Sequence, residues 1–359
     1  MSLVAFVETP LQALNLLEYS QRFALEVDLV VMGCVSELEP TALTQIEGVL
    51  LLVGPQRIVY SECRLRAKRP NHARRALASD LAVLRAHLPV GPTEFVVGEY
   101  RSDFSWALIH RLKGQARSVT VVDDGTAMLR IDRRGSAPRS REQWRRKAKS
   151  LMFLAVGIHT APLASLTFFT TYALDENVAD GDTIIRNDYR TLSAELRKLP
   201  PDEDYVYVIG GDVCGPPWPW EGGEVDQVEI ELALDLARFA AECTGKEVVY
   251  IAHRRELAEK LDALRKEFTV VTPNVPFEIY PRMLGKRPQT IVGYCSSALV
   301  TAAELLGDSV EIISLQIPRD RIADSWLPFI DRVYQYYRTE LPTAIRIIDL
   351  PPPSPNRID

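Results

Sequence analysis

Short apolar runs alternate with longer amphipathic stretches from one end of the chain to the other. The apolar runs predict buried strands at residues 3–7, 27–32, 49–53, 94–97, 119–122, 166–170, 205–209, 248–252, 290–294 and 310–314. Helical spacing is found at residues 11–19, 72–87, 228–242, 256–268 and 299–306. This alternation predicts an α/β protein in which helices cover both faces of parallel sheets.

The length of the chain predicts two domains. Its 359 residues exceed one ordinary domain, and the polar, acidic stretch at residues 175–204 separates the two halves. We therefore expect two Rossmann-like domains facing a cleft, at residues 1–185 and 200–345. The proline-rich tail at residues 346–359 is expected to run extended over the surface.

Composition places the chain among globular proteins, with 47% hydrophobic and 25% charged residues. The apolar runs are shorter than the roughly 20 residues of a spanning helix. The N-terminus has no basic region or cleavage site, so no signal peptide is expected. The five cysteines are scattered without a CxxC pair, which argues against a disulfide framework and a zinc site. We expect a cytoplasmic protein.

Positive charge is concentrated in one segment of a chain whose net charge is −6. Between Arg130 and Lys149, nine Lys and Arg residues stand against Asp132 and Glu142. Such a segment is either a solvated surface or a patch for an acidic partner. With the apolar residues 151–158 that follow, it predicts peripheral contact with an anionic membrane at its inner face. Only Trp144 interleaves the charges, so nucleic acid is not expected.

Two acidic residues follow the strand predicted at residues 119–122. Ligands of open α/β sheets bind beyond the carboxyl ends of the strands, which is where Asp123 and Asp124 lie before Gly125. One interpretation is an ordinary turn or helix cap. The other is a general base, with a pKa raised by the charge of its neighbour. The local pattern leaves both interpretations open.

Three further motifs lie in the second half. His253 ends a predicted strand before Arg254 and is either a capping histidine or a group that assists a departing phosphate. Glu278 either binds a ribose or complements a helix dipole. Ser296 and Ser297 begin a predicted helix, as an N-cap or as a compact phosphate site.

The order of these motifs resembles the bacterial sialyltransferases and polysialyltransferases. The opening segment, from Val7-Glu8-Thr9-Pro10 to Leu11-Gln12-Ala13-Leu14-Asn15, is also similar to the first strand and turn of the lipooligosaccharide sialyltransferase group. The resemblance implies a GT-B fold, a CMP-sialic acid type of donor, inversion at the anomeric carbon, and no required metal or other cofactor.

The resemblance also implies roles for individual residues. The acidic turn of Asp123 and Asp124 would supply the general base, and we favour Asp123. His253 would stabilise or protonate the CMP leaving group, and the serine pair would hold its phosphate. Where the family has His-Pro, this chain has His253-Arg254, and the arginine adds a phosphate contact. The implied donor-binding set is Ser296, Ser297, Glu278, Gly210, Gly211 and Arg254.

The chemistry of such a donor agrees with this set of residues. A CMP-linked ulosonic acid reacts through an oxocarbenium-like centre and expels a phosphate, so it needs a base and phosphate donors. We predict an inverting, metal-independent glycosyltransferase that moves a nonulosonic acid to a hydroxyl of a glycan or glycolipid. The alternatives are a GT-B transferase that uses CMP-Kdo or a UDP-sugar, and a non-catalytic nucleotide- or glycan-binding protein of the same fold.

Overall fold

The chain divides into two compact units, Met1–Thr191 and Leu192–Asp359. The computed structural model describes all residues except 1, 34, 36–37, 62–69, 89, 135–140, 212–213, 215–226 and 350–359, and except the side chains of residues 70, 141–143 and 146. The division lies within the stretch at residues 175–204 that the sequence marks as the boundary.

The first unit is built on a seven-stranded sheet with the order β3-β2-β1-β4-β5-β6-β7. All of its strand pairs are parallel. The strands are β1 (Ser2–Val7), β2 (Leu29–Met32), β3 (Arg57–Tyr60), β4 (Thr93–Val97), β5 (Ala116–Val122), β6 (Thr167–Thr170) and β7 (Thr183–Arg186). The helices are α1 (Pro10–Arg22), α2 (Pro40–Val53), α3 (Pro70–Arg85), α4 (Asp103–Leu112) and α5 (Arg141–Ala155).

The second unit has a six-stranded sheet with the order β11-β10-β9-β13-β14-β15, and β8 pairs with β12 beside it. These pairs are also parallel. The strands are β8 (Pro201–Asp202), β9 (Tyr205–Ile209), β10 (Glu247–Ile251), β11 (Thr269–Val271), β12 (Arg287–Pro288), β13 (Thr290–Gly293), β14 (Glu311–Gln316) and β15 (Arg346–Asp349). The helices are α6 (Arg190–Leu196), which spans the division, α7 (Gln227–Thr244), α8 (Ala258–Leu264), α9 (Tyr280–Leu284), α10 (Ser297–Leu306) and α11 (Leu327–Glu340).

Each sheet has one point from which successive strands are added towards opposite edges. In the first unit the strand order reverses between β1 and β4, and in the second it reverses between β9 and β13. The crossover connections on either side of such a point lie on opposite faces of the sheet, which leaves a crevice at the carboxyl ends of the two strands. The residues that follow these strands are therefore placed to bind ligands.

The strand predicted at residues 49–53 is wrong, because these residues form the last turn and a half of α2. Leu50 is 1% exposed whereas Leu51 is 84% exposed, which is the periodicity of a half-buried helix. A short apolar run does not distinguish a helix from a buried strand. The helix ends at Gly54, whose φ of 66° is left-handed and suits glycine.

The sequence analysis also misses short edge elements. β3, β7, β11 and β15 are partly exposed and lack the continuous apolar pattern of the central strands. The tail predicted from residue 346 is wrong at its start, since Arg346–Asp349 pairs with β14 as the last strand of the sheet. Residues 350–359 lie outside the described part. The other predicted strands are confirmed.

Across the described parts of the chain, no helix combines the length and apolar character needed to cross a membrane.

Adjacent leucines in α2 provide a test of the helical assignment. Leu50→Ala is expected to lower the free energy of unfolding by about 2–5 kcal/mol, because it removes a buried side chain. Leu51→Ala is the matched control and is expected to change it by no more than about 0.5 kcal/mol. Urea denaturation measures both, and equal losses would contradict the helix.

Candidate functional site

The first cluster of candidate residues lies at the carboxyl end of β5. Asp123 follows this strand and is 1% exposed. Its Oδ2 accepts hydrogen bonds from the backbone N–H of Thr171 at 2.7 Å and from the Thr171 hydroxyl at 3.0 Å. Its Oδ1, also buried, accepts no hydrogen bond from any residue that the structure describes. A buried carboxylate oxygen without a donor is uncommon and marks the position as a candidate site.

Burial raises the pKa of Asp123 to about 6, because the charged carboxylate is removed from water. The nearby Thr170 side chain, the hydrogen bonds from Thr171 and the positive charge of Arg186 limit this rise. A carboxylate with a pKa close to neutrality suits general base catalysis.

Asp124 has a different environment. Its Oδ1 accepts hydrogen bonds from Gln12 Nε2 at 2.9 Å and from the Thr9 hydroxyl at 3.2 Å. Burial and the negative charge of Glu99 raise the pKa of Asp124 well above its usual value. Although burial opposes it, hydrogen bonds from Arg101 and Asp124 lower the pKa of Glu99 to about 2. The two carboxyl groups therefore titrate together, and the opposite directions of their pKa shifts favour the proton on Asp124 and the charge on Glu99.

This arrangement changes the electrostatic explanation of the acidic turn. The sequence predicts that the charge of the neighbouring aspartate raises the pKa of the base, but the causes of the Asp123 shift do not include Asp124. Glu99, at the end of the neighbouring strand β4, perturbs Asp124 instead. Sequence analysis missed Glu99 because it is distant in the chain, and its position after a predicted strand was the available signal.

The opening segment of α1 holds the acidic turn in place. Thr9 caps the helix, accepting a hydrogen bond from Gln12 N at 3.3 Å. Gln12 also accepts a hydrogen bond from Glu8 N at 2.7 Å, and Asn15 Nδ2 donates to the backbone carbonyl of Asp123 at 3.0 Å. Gly98 is needed beside this helix, since a Cβ there would lie 2.3 Å from Gln12 Oε1. The resemblance at residues 7–15 thus falls on residues that support Asp123 and Asp124.

A cavity of about 680 Å³ lies in the first unit, beside the reversal point between β1 and β4. Glu8 and Glu99, which follow these two strands, both line it. Asp123 and Asp124 do not line this cavity, but Asp124 interacts with Glu99 in its wall. The remaining lining residues are Tyr100, Arg101, Ser102, Asp103, Phe104, Trp106, Lys147, Lys149, Ser150, Thr160, Ala161 and Pro162.

The second cluster lies at the carboxyl ends of three adjacent strands. β9 ends before Gly210, and its neighbours β10 and β13 lead to His253 and Ser296. Because parallel strands end at the same edge of the sheet, the structure brings these sequence-predicted residues together.

The surroundings of His253 favour its neutral form. Burial lowers its pKa well below the usual value, and the positive charges of Arg254, Arg255 and Lys260 lower it further. Nε2 lies 3.3 Å from Arg254 Nη1, and Nδ1 lies 3.4 Å from the backbone N of Arg255. Both neighbours are N–H donors, whereas a neutral imidazole accepts at one nitrogen and carries its hydrogen on the other, so only one of the two contacts is a hydrogen bond. A neutral ring also lacks the extra proton that a general acid needs.

A buried ion network that the sequence analysis missed supports His253. Glu256 accepts the backbone N–H of His253 at 2.7 Å and the hydroxyl of Tyr250 at 2.6 Å. Lys260 forms ion pairs with Glu256 at 2.8 Å and with Glu229 at 3.1 Å. The available signal was a lysine between apolar positions of an amphipathic helix, since a buried charge needs a partner.

The two glycines after β9 differ in their surroundings. A Cβ at Gly210 would lie 2.4 Å from Glu256 Oε2 and 2.9 Å from the backbone oxygen of Ile251. A Cβ at Gly211 would meet nothing within 4 Å among the described atoms. Gly211 N donates to Glu256 at 3.2 Å, and Gly211 O accepts from Lys260 at 2.8 Å. Gly210 is thus required for close packing, whereas the described atoms leave space for a Cβ at Gly211.

Ser296 is the N-cap of α10, and its hydroxyl oxygen accepts a hydrogen bond from Ala298 N at 3.2 Å. Its O–H hydrogen can still be donated to a ligand. Ser297 is the first residue of the helix. Glu278 lies in a short 3-10 turn; burial raises its pKa, and the positive charge of Arg254 opposes the rise. Glu278 and Arg254 therefore share one electrostatic environment.

In the described parts of the chain, no group of three or more His, Cys, Asp and Glu side chains is arranged to hold a metal ion.

Comparison with known proteins identifies the fold. No protein-family model matches the chain, and no curated protein matches it. Solved structures match over nearly the whole chain. CalG4, the calicheamicin glycosyltransferase, is 12% identical with a TM-score of 0.52, and the match covers 97% of this chain and 85% of that chain. A Listeria monocytogenes protein assigned as a UDP-N-acetylglucosamine 2-epimerase is 11% identical with a TM-score of 0.50, over 93% and 90%.

An α/β-galactoside α-2,3-sialyltransferase from the luminous marine bacterium Photobacterium phosphoreum is 11% identical with a TM-score of 0.47. That match covers 96% of this chain and 97% of that chain. At these identities the similarity shows the fold alone. The predicted fold class, α/β with two Rossmann-like domains of the GT-B type, is confirmed by the two sheets and by CalG4 and the Listeria protein.

The two glycines provide a matched pair for testing the packing beneath His253. Gly210→Ala is expected to lower the free energy of unfolding by about 1–3 kcal/mol, because the added methyl group displaces Glu256 or strains the backbone. Gly211→Ala is expected to leave it unchanged within about 0.5 kcal/mol or to raise it slightly. Urea denaturation measures both, and a larger loss for Gly211→Ala would contradict the packing.

The raised pKa of Asp123 predicts that the stability of the isosteric variant Asp123→Asn, relative to wild type, increases as pH rises. The folded protein holds the proton more tightly than the unfolded chain, so wild type loses stability through about pH 6. Relative to wild type, Asp123→Asn is therefore expected to be more stable at about pH 8 than at about pH 4, by about 2–3 kcal/mol. A difference that does not change with pH, measured by denaturation at both values, would show that Asp123 titrates normally.

Proposed function

We propose that the chain is an inverting glycosyltransferase that moves a nonulosonic acid of the sialic type from its CMP donor to a hydroxyl of a glycan or glycolipid. The observation that carries this proposal is the buried Oδ1 of Asp123, which accepts no hydrogen bond from the described residues on a carboxylate whose pKa is about 6. The GT-B fold and the phosphate-binding groups of the second unit support it.

Asp123 acts as the general base in this proposal. Its Oδ1 takes the proton of the acceptor hydroxyl while the hydroxyl oxygen forms a bond to the anomeric carbon of the donor. The bond from that carbon to the phosphate oxygen breaks, and its electron pair leaves with CMP. Because the acceptor attacks opposite the leaving group, the anomeric configuration inverts. Asp124 positions the turn, because its Oδ1 accepts hydrogen bonds from Gln12 and Thr9.

The second unit binds the leaving group. CMP departs with a negative charge on its phosphate, and His253 donates a neutral N–H to it while Arg254 adds positive charge. The hydroxyl groups of Ser296 and Ser297 and the N-terminal end of α10 complete the phosphate site. Glu278 accepts hydrogen bonds from the ribose, and Gly210 and Gly211 lie on the nucleotide side.

The donor is tested with a panel of nucleotide sugars and glycan acceptors, with the released nucleotide as the readout. The proposal expects CMP from a CMP-nonulosonic acid. UDP without CMP would exclude the proposed donor and favour a UDP-sugar enzyme. Release from CMP-Kdo alone would assign a different ulosonic acid, and binding of CMP without turnover on any acceptor would indicate a binding protein.

Substitutions at two neighbouring residues distinguish the proposed base, Asp123, from Asp124, which positions the turn. Asp123→Asn is expected to lower kcat by about 10²–10⁴-fold, because it removes the base. Asp124→Asn is the matched control: its amide keeps one acceptor for Gln12 and Thr9 and one N–H for Glu99, so we expect less than a tenfold loss, about 1.4 kcal/mol at most. The opposite ranking would move the base to Asp124.

A further inference from the structure

Helix α5 leaves several large apolar side chains uncovered. Trp144 is 58% exposed and Leu151 is 59% exposed, and Met152 and Leu154 are exposed as well. Phe153, on the opposite side of the helix, is completely buried. One side of α5 is therefore packed in the first unit while the other presents apolar surface to solvent.

Helical geometry places the exposed residues on one face. Positions 144, 148, 151 and 155 are separated by four, three and four residues, so they form a single stripe. All four of these positions are exposed. Met152 and Leu154 lie on either side of this stripe. We call this surface the α5 face.

Positive charges border the α5 face. Arg145 and Lys147 are exposed on its two sides, and Lys147 Nζ lies 5.8 Å from the centre of the Trp144 ring. The sequence of α5 contains one acidic residue, Glu142, whose side chain lies outside the described part. Aromatic and aliphatic groups with a basic border match the interface of an anionic lipid bilayer, where tryptophan rings and long basic side chains bind preferentially.

Several basic side chains of residues 130–149 have partners within the first unit. Arg133 forms a buried ion pair with Asp182 at 2.6 Å, and Arg134 donates to the carbonyl of Val178 at 2.8 Å. Lys149 pairs with Asp103 at 2.5 Å. These three side chains have partners within the first unit, so the contact with a membrane is inferred from the α5 face.

Helix α5 also lies at the edge of the cavity in the first unit. Lys147, Lys149 and Ser150 line that cavity, while Trp144 and Leu151 of the same helix face solvent. A membrane that binds the α5 face would therefore lie close to the cavity.

We propose that the α5 face docks on the surface of an anionic membrane. Trp144, Leu151, Met152 and Leu154 enter the headgroup region, and Arg145 and Lys147 bind lipid phosphates. If the proposed transferase activity is correct, the acceptor is then a glycan carried by a lipid of that membrane. This last step rests on the proposed function, whereas the docking does not.

Vesicle sedimentation tests the docking without any assay of activity. The wild-type protein is expected to sediment with vesicles of phosphatidylcholine and phosphatidylglycerol, and much less with vesicles of phosphatidylcholine alone. The double variant Trp144→Ser with Leu151→Ser is expected to lose at least tenfold in partition to the anionic vesicles. Arg145→Gln is expected to weaken binding less, by an amount that added salt reduces.

Leu51→Ser is the control, because it removes an exposed leucine from α2 of the same unit. It is expected to bind vesicles as wild type does. The proposal is overturned if wild type does not sediment with anionic vesicles, or if the double variant binds as well as the control. Self-association of wild type that the double variant abolishes, without vesicle binding, would assign the face to a second copy of the chain.

Activity separates the two proposals. With a soluble acceptor, nucleotide release by the double variant should equal that of wild type, since neither substituted side chain lines the cavity. Loss of vesicle binding with intact release would support docking and the transferase together. Vesicle binding without release from any donor would support docking and contradict the proposed function.

Discussion

Parallel strand pairing is the constraint on which the candidate sites depend. Every described strand pair is parallel in both sheets, so the carboxyl ends of neighbouring strands meet at one edge. Polar residues that follow these strands are then crowded into partly buried positions, where each needs a partner. Thr171 supplies one to Asp123, Gln12 supplies one to Asp124, and Lys260 joins two glutamates in the second unit. The chemistry of each site follows from how completely these needs are met.

The two aspartates differ in how fully their carboxyl groups are hydrogen-bonded. They are adjacent in sequence, but their carboxyl groups contact different neighbours. Asp124 accepts two side-chain hydrogen bonds and shares a proton with Glu99, so it resembles a structural group. Asp123 retains a buried oxygen that accepts no hydrogen bond from the described residues, together with a pKa of about 6. In the second unit, burial and the neighbouring positive charges lower the pKa of His253 and favour its neutral form.

The central strands and the strand-end motifs were predictable from the sequence, because continuous β-branched runs such as β9 and β13 have few alternatives. The run at residues 49–53 was not, since five apolar residues fit a helix end equally well. Edge strands such as β15 were missed because they are half exposed. The supporting residues were harder to predict than the motifs themselves. Gln12, Asn15 and Lys260 are polar residues at buried helix positions. Gln12 and Asn15 bond to the turn after β5, and Lys260 pairs with Glu229 on α7, so these partners are distant in the sequence and are identified from the fold.

A crystal structure of the protein bound to CMP would test the central claim most directly. The claim is that the carboxyl edge of β9, β10 and β13 is a nucleotide phosphate site. The account predicts the CMP phosphate within hydrogen-bond distance of the Ser296 and Ser297 hydroxyls and of a ring nitrogen of His253, with the ribose at Glu278. A phosphate bound elsewhere, with no contact to these side chains, would contradict it.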